Sequence, residues 1–224
     1  MSRPGRKRVA VLISGRGSNM EALARAAIDP EYPCEIAGVI SNKAEVAGLR
    51  KAQSFGIATL TVANRDFAER ADHEAAMLKA IDVLGAEIVC LAGYMRILSD
   101  TFVKKWHGRM INIHPSLLPA FRGVDTHARA LASGLRIHGC TVHFVTPEMD
   151  DGPIIAQAAV PVLLDDDEAR LAERVLAAEH RLYPMALAMV ARGQVRVSNG
   201  RCVYSTPGGA GGGDEAIFSP PSAF

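Results

Sequence analysis

The chain has 224 residues, of which 49% are hydrophobic and 22% are charged, a composition typical of one folded domain with a buried core. Its 25 lysines and arginines nearly balance 24 aspartates and glutamates, which argues against nucleic acid or an anionic membrane as the main partner. No apolar run approaches the roughly 18 residues of a membrane span and the start has no signal-peptide core, so we expect a cytoplasmic protein.

Apolar runs alternate with helical patterns through the first half of the chain. Residues 9–13 are apolar on both faces, which is typical of a fully buried strand. Further strands are expected at residues 35–40, 57–62, 87–92 and 109–113, and helices at residues 20–28, 44–55 and 67–84. Strands separated by helices of this length indicate an α/β fold with a Rossmann-like, mostly parallel twisted sheet flanked by helices.

The second half predicts an antiparallel portion at the C-terminal end of the fold. Strands are expected at residues 138–145 and 154–162, followed by a helix at residues 168–191 in which Pro184 forces a kink or a break. Asn199 and Gly200 are a strong hairpin signal between two last short strands. We therefore expect a flexible basic leader at residues 1–8, a domain at residues 9–205, and a disordered tail rich in glycine and proline at residues 206–224.

The four cysteines show no metal-binding spacing. They are Cys34, Cys90, Cys140 and Cys202. Free thiols in a reducing compartment are the expectation, mostly buried in apolar runs. The histidines likewise lack ligand spacing, so we expect no metal site.

A glycine-containing turn at residues 14–19 separates the first strand from the first helix. Glycines let the backbone approach an anion, and the helix start supplies free N–H groups. Ser18 and Asn19 add side-chain donors. Met20 stands where a dinucleotide fingerprint has its third glycine, so a phosphate monoester fits better than NAD or ATP. An ordinary strand-to-helix turn is the alternative without a ligand.

Asn112 and His114 lie two residues apart in an expected strand that ends before Pro115. They therefore project from the same face, at the strand end that borders the ligand crevice of a parallel α/β sheet. An amide donor beside a titratable ring suits a reaction that develops an oxyanion and moves a proton. A carboxylate at Asp150, in the loop between two late strands, could pair with His114. A polar strand end capped by a Pro-rich turn is the alternative without catalysis.

Together these segments resemble one family, the phosphoribosylglycinamide formyltransferases, which are folate-dependent enzymes of purine synthesis. The matching motifs are VLISGRGSN at 11–19, SNKA at 41–44, LAGYMRIL at 91–98, NIHPSLLP at 112–119, and HFV at 143–145 followed by D-x-G-P at 150–153. They run in the family's order over nearly all of the chain outside its ends. Each is moderately specific, and their combination at these spacings is highly specific.

The resemblance implies transfer of the formyl group of 10-formyltetrahydrofolate, a cosubstrate, to the amine of glycinamide ribonucleotide, without a metal. It implies Asn112, His114 and Asp150 as the catalytic trio. Gly17, Ser18 and Asn19 would bind the substrate phosphate, and Glu179 would lie near its ribose. Arg70, Met95, Arg96, Ile97, Leu98 and Asn112 would contact the folate. Solvated or core positions are the structural alternatives for Arg70, Met95, Ile97, Leu98 and Glu179.

Three other functions share part of this pattern. Formyltetrahydrofolate hydrolases use water as acceptor and carry an N-terminal regulatory domain, which we do not expect because the first strand begins by residue 9. Formyltransferases acting on initiator tRNA usually add a C-terminal domain and a basic surface. A nucleotide-binding module would not need the trio.

The expected partners are small molecules, with no nucleic acid or membrane, and the chain is expected to be a monomer or homodimer. No role is given to His127 or His143, and Asp151 is expected to leave the roles unchanged.

Overall fold

The computed structural model describes residues 5–205. The expected tail at residues 206–224 and the first half of the expected leader lie outside this range. The strands are β1 Lys7–Ile13, β2 Cys34–Ser41, β3 Thr59–Thr61, β4 Ile88–Leu91, β5 Met110–His114, β6 Ile137–Phe144, β7 Ile154–Pro161, β8 Val195–Ser198 and β9 Arg201–Tyr204. The α-helices are α1 Ser18–Ala26, α2 Ala47–Ser54, α3 Arg70–Val83, α4 Asp100–Lys105, α5 Thr126–Ala132 and α6 Glu168–Ala191.

A seven-stranded sheet with the order β3-β2-β1-β4-β5-β6-β7 forms the centre of the fold. The strands from β3 to β5 pair in parallel, whereas β6 and β7 are antiparallel to their neighbours. A separate two-stranded ribbon joins β8 and β9. These pairings confirm the predicted Rossmann-like sheet with an antiparallel C-terminal portion.

Side chains alternate between two hydrophobic cores, one on each face of the sheet. Ile111 and Ile113 of β5 lie in the core that α1 and α6 cover, while Met110 lies in the core covered by α3 and α4. Asn112 and His114 therefore project to the face of α3 and α4, as the two-residue period of a strand requires. Three of the four cysteines are buried, and all four are free thiols.

Most element bounds differ from the sequence prediction by about one to three residues, and β1 and α6 show the two differences that bear on the fold. β1 begins at Lys7 rather than at residue 9, because the Lys7 ammonium pairs with Glu87 and lets the strand extend with its first side chains in solvent. α6 runs without a break through Pro184. The preceding Tyr183 is fully buried, and its hydroxyl donates to the carbonyls of Leu91 and Ile111. This packing against the sheet outweighs the backbone hydrogen bond that proline cannot make.

The helices α4 and α5 were not predicted from the sequence. They have six and seven residues, too few to show a helical period clearly. Both lie beside the segments that carry the site. Within the described residues, no helix has both the length and the apolar character needed to cross a membrane.

β1 and β4 are neighbours in the sheet, but the chain leaves β1 toward β2 and leaves β4 toward β5, on the opposite side. A crevice opens outside the carboxyl ends of strands at such a switch of direction, and it is where open α/β sheets bind ligands. The loops after β1, β4 and β5 all reach this crevice.

Candidate active site

A cleft of about 1140 Å³ lies at the carboxyl ends of β1, β4 and β5, and a second cavity of about 260 Å³ adjoins it under the loop after β1. The predicted residues that line the large cleft are Ser18, Asn19, Met95, Arg96, Ile97, Leu98, Asn112, His114, Asp150 and Glu179. Gly17, Ser18 and Asn19 line the smaller cavity. The fold thus brings together every predicted site residue except Arg70.

Gly17 is the N-cap residue of α1 and has a left-handed backbone, at φ 68°. A Cβ atom there would also lie 2.6 Å from the Cα of Gly48 at the start of α2. The N–H of Gly48 donates to the carbonyl of Gly15 at 3.0 Å, so the start of α2 packs against the loop at residues 14–19. Only glycine satisfies both constraints at residue 17. Sequence reasoning missed Gly48, because its partner loop lies some thirty residues earlier in the chain.

Ser14 joins the loop after β1 to two other loops of the site. Its hydroxyl donates to Oδ1 of Asn42 at 2.6 Å and accepts from the backbone N–H of Met95 at 2.8 Å. All of these groups are at or near the carboxyl ends of their strands. The loop at residues 14–19, which is the expected anion-binding loop and is called the anion loop below, is therefore held in a fixed position relative to the loop at residues 92–98. Both polar side chains lie within the family motifs, which was the available sequence signal.

Glu179 projects from α6 into the cleft and is 6% exposed. Its Oε2 accepts from Nδ2 of Asn19 at 2.7 Å. Burial raises the pKa of Glu179 to about 7, and the hydrogen bond from Asn19 opposes that rise. A carboxylate next to an anion loop is suited to accept hydrogen bonds from the hydroxyl groups of a sugar.

His143 fixes the amide of Asn112. The Nδ1 of His143 lies 2.9 Å from the carbonyl of Phe144, which can only accept, so Nδ1 carries the proton. Nε2 is then an acceptor for the Nδ2 group of Asn112 at 3.2 Å. Burial lowers the pKa of His143, against the opposing effects of the Phe144 carbonyl and Asp150, and this favours the neutral ring. The sequence prediction gave His143 no role.

The ring of His114 lies between two acceptors. Nδ1 is 3.4 Å from Oδ2 of Asp150, and Nε2 is 2.9 Å from the carbonyl of Phe121. The same Asp150 oxygen accepts from the N–H of Gly123 at 2.9 Å. Phe121 and Asp150 both have left-handed backbones, which is a strained arrangement that often marks a functional site. The segment at residues 121–123 therefore bridges the two predicted catalytic side chains.

Asp151 does not share this contact. Its carboxylate pairs with the guanidinium of Arg122, and both side chains are about half exposed. The neighbouring Gly152 has no room for a side chain, because a Cβ atom would lie 1.7 Å from the carbonyl of Phe144. The loop after β6 therefore turns so that Asp150 faces His114 while Asp151 faces solvent.

The loop after β4 provides an apolar wall. Met95 and Ile97 are 66% and 67% exposed and face the cleft, while Leu98 is buried beneath them. When the side-chain amide of Asn64 is oriented so that its nitrogen donates to the carbonyl of Asn42, its oxygen accepts from Nη1 of Arg96 at 3.0 Å. Exposed apolar side chains on a concave surface are typical of a site for a flat organic ligand.

Arg70 lies at the start of α3, outside the cleft wall. Its Nε pairs with Oε1 of Glu74 at 2.9 Å. Glu74 also accepts from the backbone and the hydroxyl of Ser99, which follows the loop at residues 92–98. Although burial opposes the shift, these bonds lower the pKa of Glu74. Arg70 is thus connected to the cleft through Glu74 and Ser99 but does not line it.

Comparisons with known proteins found relatives over most of the chain. The model of the formyl transferase family matches residues 7–187. The phosphoribosylglycinamide formyltransferase of Escherichia coli is 43% identical over 189 residues, which cover 84% of this chain and 89% of that enzyme. The crystal structure of a phosphoribosylglycinamide formyltransferase from Brucella melitensis superposes with a TM-score of 0.81 at 57% identity, covering 86% of this chain and all of the other.

The chain also matches part of a much longer protein. It is 50% identical to the trifunctional purine biosynthetic protein adenosine-3 of Gallus gallus over 190 residues, which are 85% of this chain but 19% of that protein. The chain therefore spans about a fifth of the length of this relative.

Proposed function

Because the chain belongs to the formyl transferase family, we propose that it transfers the formyl group of 10-formyltetrahydrofolate to the amine of N1-(5-phospho-D-ribosyl)glycinamide in purine biosynthesis. The observation that carries the proposal is the pairing of His114 with Asp150 beside the oriented amide of Asn112, in one cleft with the anion loop. This combination serves an acyl transfer to a phosphorylated acceptor.

Asn112 is proposed to stabilise the negative charge that develops on the formyl oxygen. One of its two amide hydrogens is engaged by His143, and the other is available to the cleft. A preorganised donor of this kind contributes about two to three decades of rate. His143 makes the donor preorganised, because its hydrogen bond prevents rotation of the Asn112 amide group.

His114 is proposed to act as an imidazolium. Nε2 is hydrogen-bonded to a carbonyl that can only accept, and Nδ1 lies 3.4 Å from the carboxylate of Asp150, so a proton on each nitrogen suits both contacts. The positive ring then lies beside the developing oxyanion and balances its charge. Delivery of a proton by Nε2 of His114 would require this nitrogen to leave the carbonyl of Phe121.

Asp150 is proposed to handle the proton balance. The attacking amine forms a bond to the formyl carbon and gives up one proton, while the bond from that carbon to the folate nitrogen breaks and this nitrogen gains one proton. Oδ2 of Asp150 accepts from the N–H of Gly123 and contacts Nδ1 of His114. The other oxygen, Oδ1, is 3.8 Å from Nε2 of His143. The second oxygen can accept the proton from the amine and return it to the leaving nitrogen.

The cleft also fits the two proposed substrates. The apolar wall of Met95, Ile97 and Leu98 suits a planar pterin, and Arg96 provides a positive charge for the acidic part of the folate. Gly17, Ser18 and Asn19 suit the substrate phosphate, with Glu179 toward the ribose. Arg70 is proposed as a peripheral folate contact. We further propose residues 9–205 as the catalytic domain of a cytoplasmic enzyme that acts on small molecules.

The test is formyl transfer measured with purified protein, with and without the nucleotide acceptor. We expect folate turnover that depends on the acceptor. The variants His114→Ala and Asp150→Asn should each lower kcat by about 10²-fold or more while the circular dichroism spectrum is unchanged. Near-normal turnover by His114→Ala would refute the site. Turnover of equal rate without the acceptor would show a hydrolase instead.

A second test concerns the division of the cleft. Replacing Gly17 with a bulky residue should raise the KM for the nucleotide far more than the KM for the folate, because the left-handed backbone and the approach of Gly48 exclude a side chain. An equal rise in both constants would argue against the proposed phosphate loop.

A further inference from the structure

We propose that Arg16 is a specificity residue that binds the phosphate of the acceptor and selects phosphorylated over unphosphorylated substrates. The inference rests on the proposed function and adds a residue to the phosphate site. Arg16 lies in the motif at residues 11–19 but is not among the phosphate-binding residues that the family resemblance implies.

Arg16 stands between the two glycines of the anion loop and lines both cavities. Its side chain is exposed. Within residues 5–205 the guanidinium has no hydrogen bond and no ion pair. The other two arginines of the site region differ in this respect, because Arg70 pairs with Glu74 and Arg96 contacts Asn64. An arginine on the rim of an anion cavity without a protein partner is available to a ligand.

The charge of the surroundings gives Arg16 its importance. Among the described residues that line the smaller cavity, Arg16 is the only one with a charged side chain. Next to this cavity Oε2 of Glu179 accepts from Asn19, and the carboxylates of Glu168 and Glu173 also line the large cleft. A phosphate carries close to two negative charges at neutral pH. Backbone N–H groups supply dipoles but no net charge, so a nearby cation is needed to offset repulsion by these carboxylates.

The shape of the guanidinium suits this task. Arginine presents a planar fork of N–H donors that can bind two phosphate oxygens together, which an ammonium cannot do with the same geometry. A water molecule takes about 30 Å³ in the liquid, so the cavity of about 260 Å³ has room for a phosphate group. The fork and the loop N–H groups would then contact the phosphate from different sides.

Asn19 orients the rest of the acceptor. Its side-chain Oδ1 is buried and has no partner among the described residues, while its Nδ2 is held by Glu179. A buried acceptor without a donor favours a ligand hydroxyl at that point. With the sugar hydroxyls at Asn19 and Glu179, the phosphate of the same nucleotide points toward the loop that carries Arg16.

The experiment compares two acceptors, the nucleotide and its dephosphorylated riboside, on wild type and on Arg16→Ala. We expect Arg16→Ala to raise the KM for the nucleotide about 10-fold, with kcat and the KM for folate changed less than about 2-fold. The kcat/KM for the riboside should be the same in both proteins, because the riboside has no phosphate for Arg16 to bind. Arg16→Lys should recover part of the loss, since it keeps the charge without the fork.

Arg25→Ala is the matched control. Arg25 is an exposed arginine of α1 that pairs with Glu21 and lines neither cavity. It should leave both acceptors unchanged. If Arg16→Ala weakened the nucleotide and the riboside equally, or weakened neither, the phosphate role of Arg16 would be disproved.

A binding measurement separates this inference from the proposed function. Inorganic phosphate is titrated into wild type and Arg16→Ala by calorimetry, and we expect about 10-fold weaker binding to the variant. This readout needs no turnover. Equal phosphate affinity in the two proteins would overturn the role of Arg16 even if formyl transfer is measured. Loss of phosphate affinity in a protein that transfers no formyl group would support the phosphate site and refute only the proposed reaction.

Discussion

The amide nitrogen of Asn112 lies 3.2 Å from Nε2 of His143, on the neighbouring strand β6. The two residues face each other directly across the antiparallel pair of β5 and β6. Side chains opposite one another in such a pair are close enough to interact. The orientation of the proposed oxyanion donor is therefore set by a histidine on the neighbouring strand.

We expect His143→Phe to lower kcat by about one to two decades with little change in either KM, because the Asn112 amide loses its fixed orientation. His143→Gln should recover part of the activity, since its side-chain oxygen can accept from the same amide. Steady-state kinetics of the single variants, Asn112→Ala and the double variant give the coupling. Strictly additive losses would show that His143 does not act through Asn112.

Gly48→Ala tests the support of the anion loop. The added Cβ would lie 2.5 Å from Cδ1 of Ile13 and 2.9 Å from the carbonyl of Gly15, so the loop must shift. We expect the KM for the nucleotide to rise roughly 10-fold or more, because small displacements of binding groups are costly, while the KM for folate changes little. Arg50→Ala, on the exposed side of the same helix, is the control and should change neither constant.

The Glu179→Gln variant is expected to increase the stability of the folded protein at high pH while weakening acceptor binding. Burial raises the pKa of Glu179 to about 7, so the folded protein holds a proton between pH 4.5 and 7 that the unfolded chain releases. The stabilisation is complete below pH 4.5 and is lost as pH rises through 7. The glutamine variant should therefore be more stable than wild type at pH 8, by up to about 3 kcal/mol. Chemical denaturation at pH 5 and pH 8 measures the difference.

The same variant should bind the acceptor less well. A neutral amide is a weaker acceptor than a carboxylate for the ribose hydroxyls, so we expect a higher KM for the nucleotide at pH 8. Wild type should lose the same advantage as pH falls below 7, whereas the variant should keep only the change caused by protonation of the substrate phosphate, whose second pKa is about 6. A pH dependence that is unchanged by the substitution would exclude Glu179 as its source.

Asp150 and Asp151 should behave differently despite being neighbours. Asp151 pairs with Arg122 at the surface, and an exposed pair of this kind is worth about 1 kcal/mol or less. Asp151→Asn should thus lower kcat by less than about 5-fold, and added salt should reduce the difference from wild type. Asp150→Asn should cost about 10²-fold or more at any salt concentration. Comparable losses in the two variants would show that the two carboxylates share the role.

Local patterns in the sequence determined the elements of the site. The apolar run of β1 predicted a buried strand, and the two-residue period of β5 placed Asn112 and His114 on one face. The glycine turn after β1 predicted an anion loop at the start of α1. Each of these features depends on residues close together in the chain, so propensity and periodicity reveal it.

Only the tertiary structure decided how the site groups are partnered. Asn19 meets Glu179 across 160 positions of the chain, and Asn112 meets His143 across 31. It also turned Asp151 toward Arg122 and solvent, beside the expected contact of Asp150 with His114, and kept α6 continuous at Pro184. No local period encodes such contacts, because they arise when the strand order and the packed faces bring distant residues together. The sequence therefore determined which groups were present, and packing decided the orientation and hydrogen-bond partner of each.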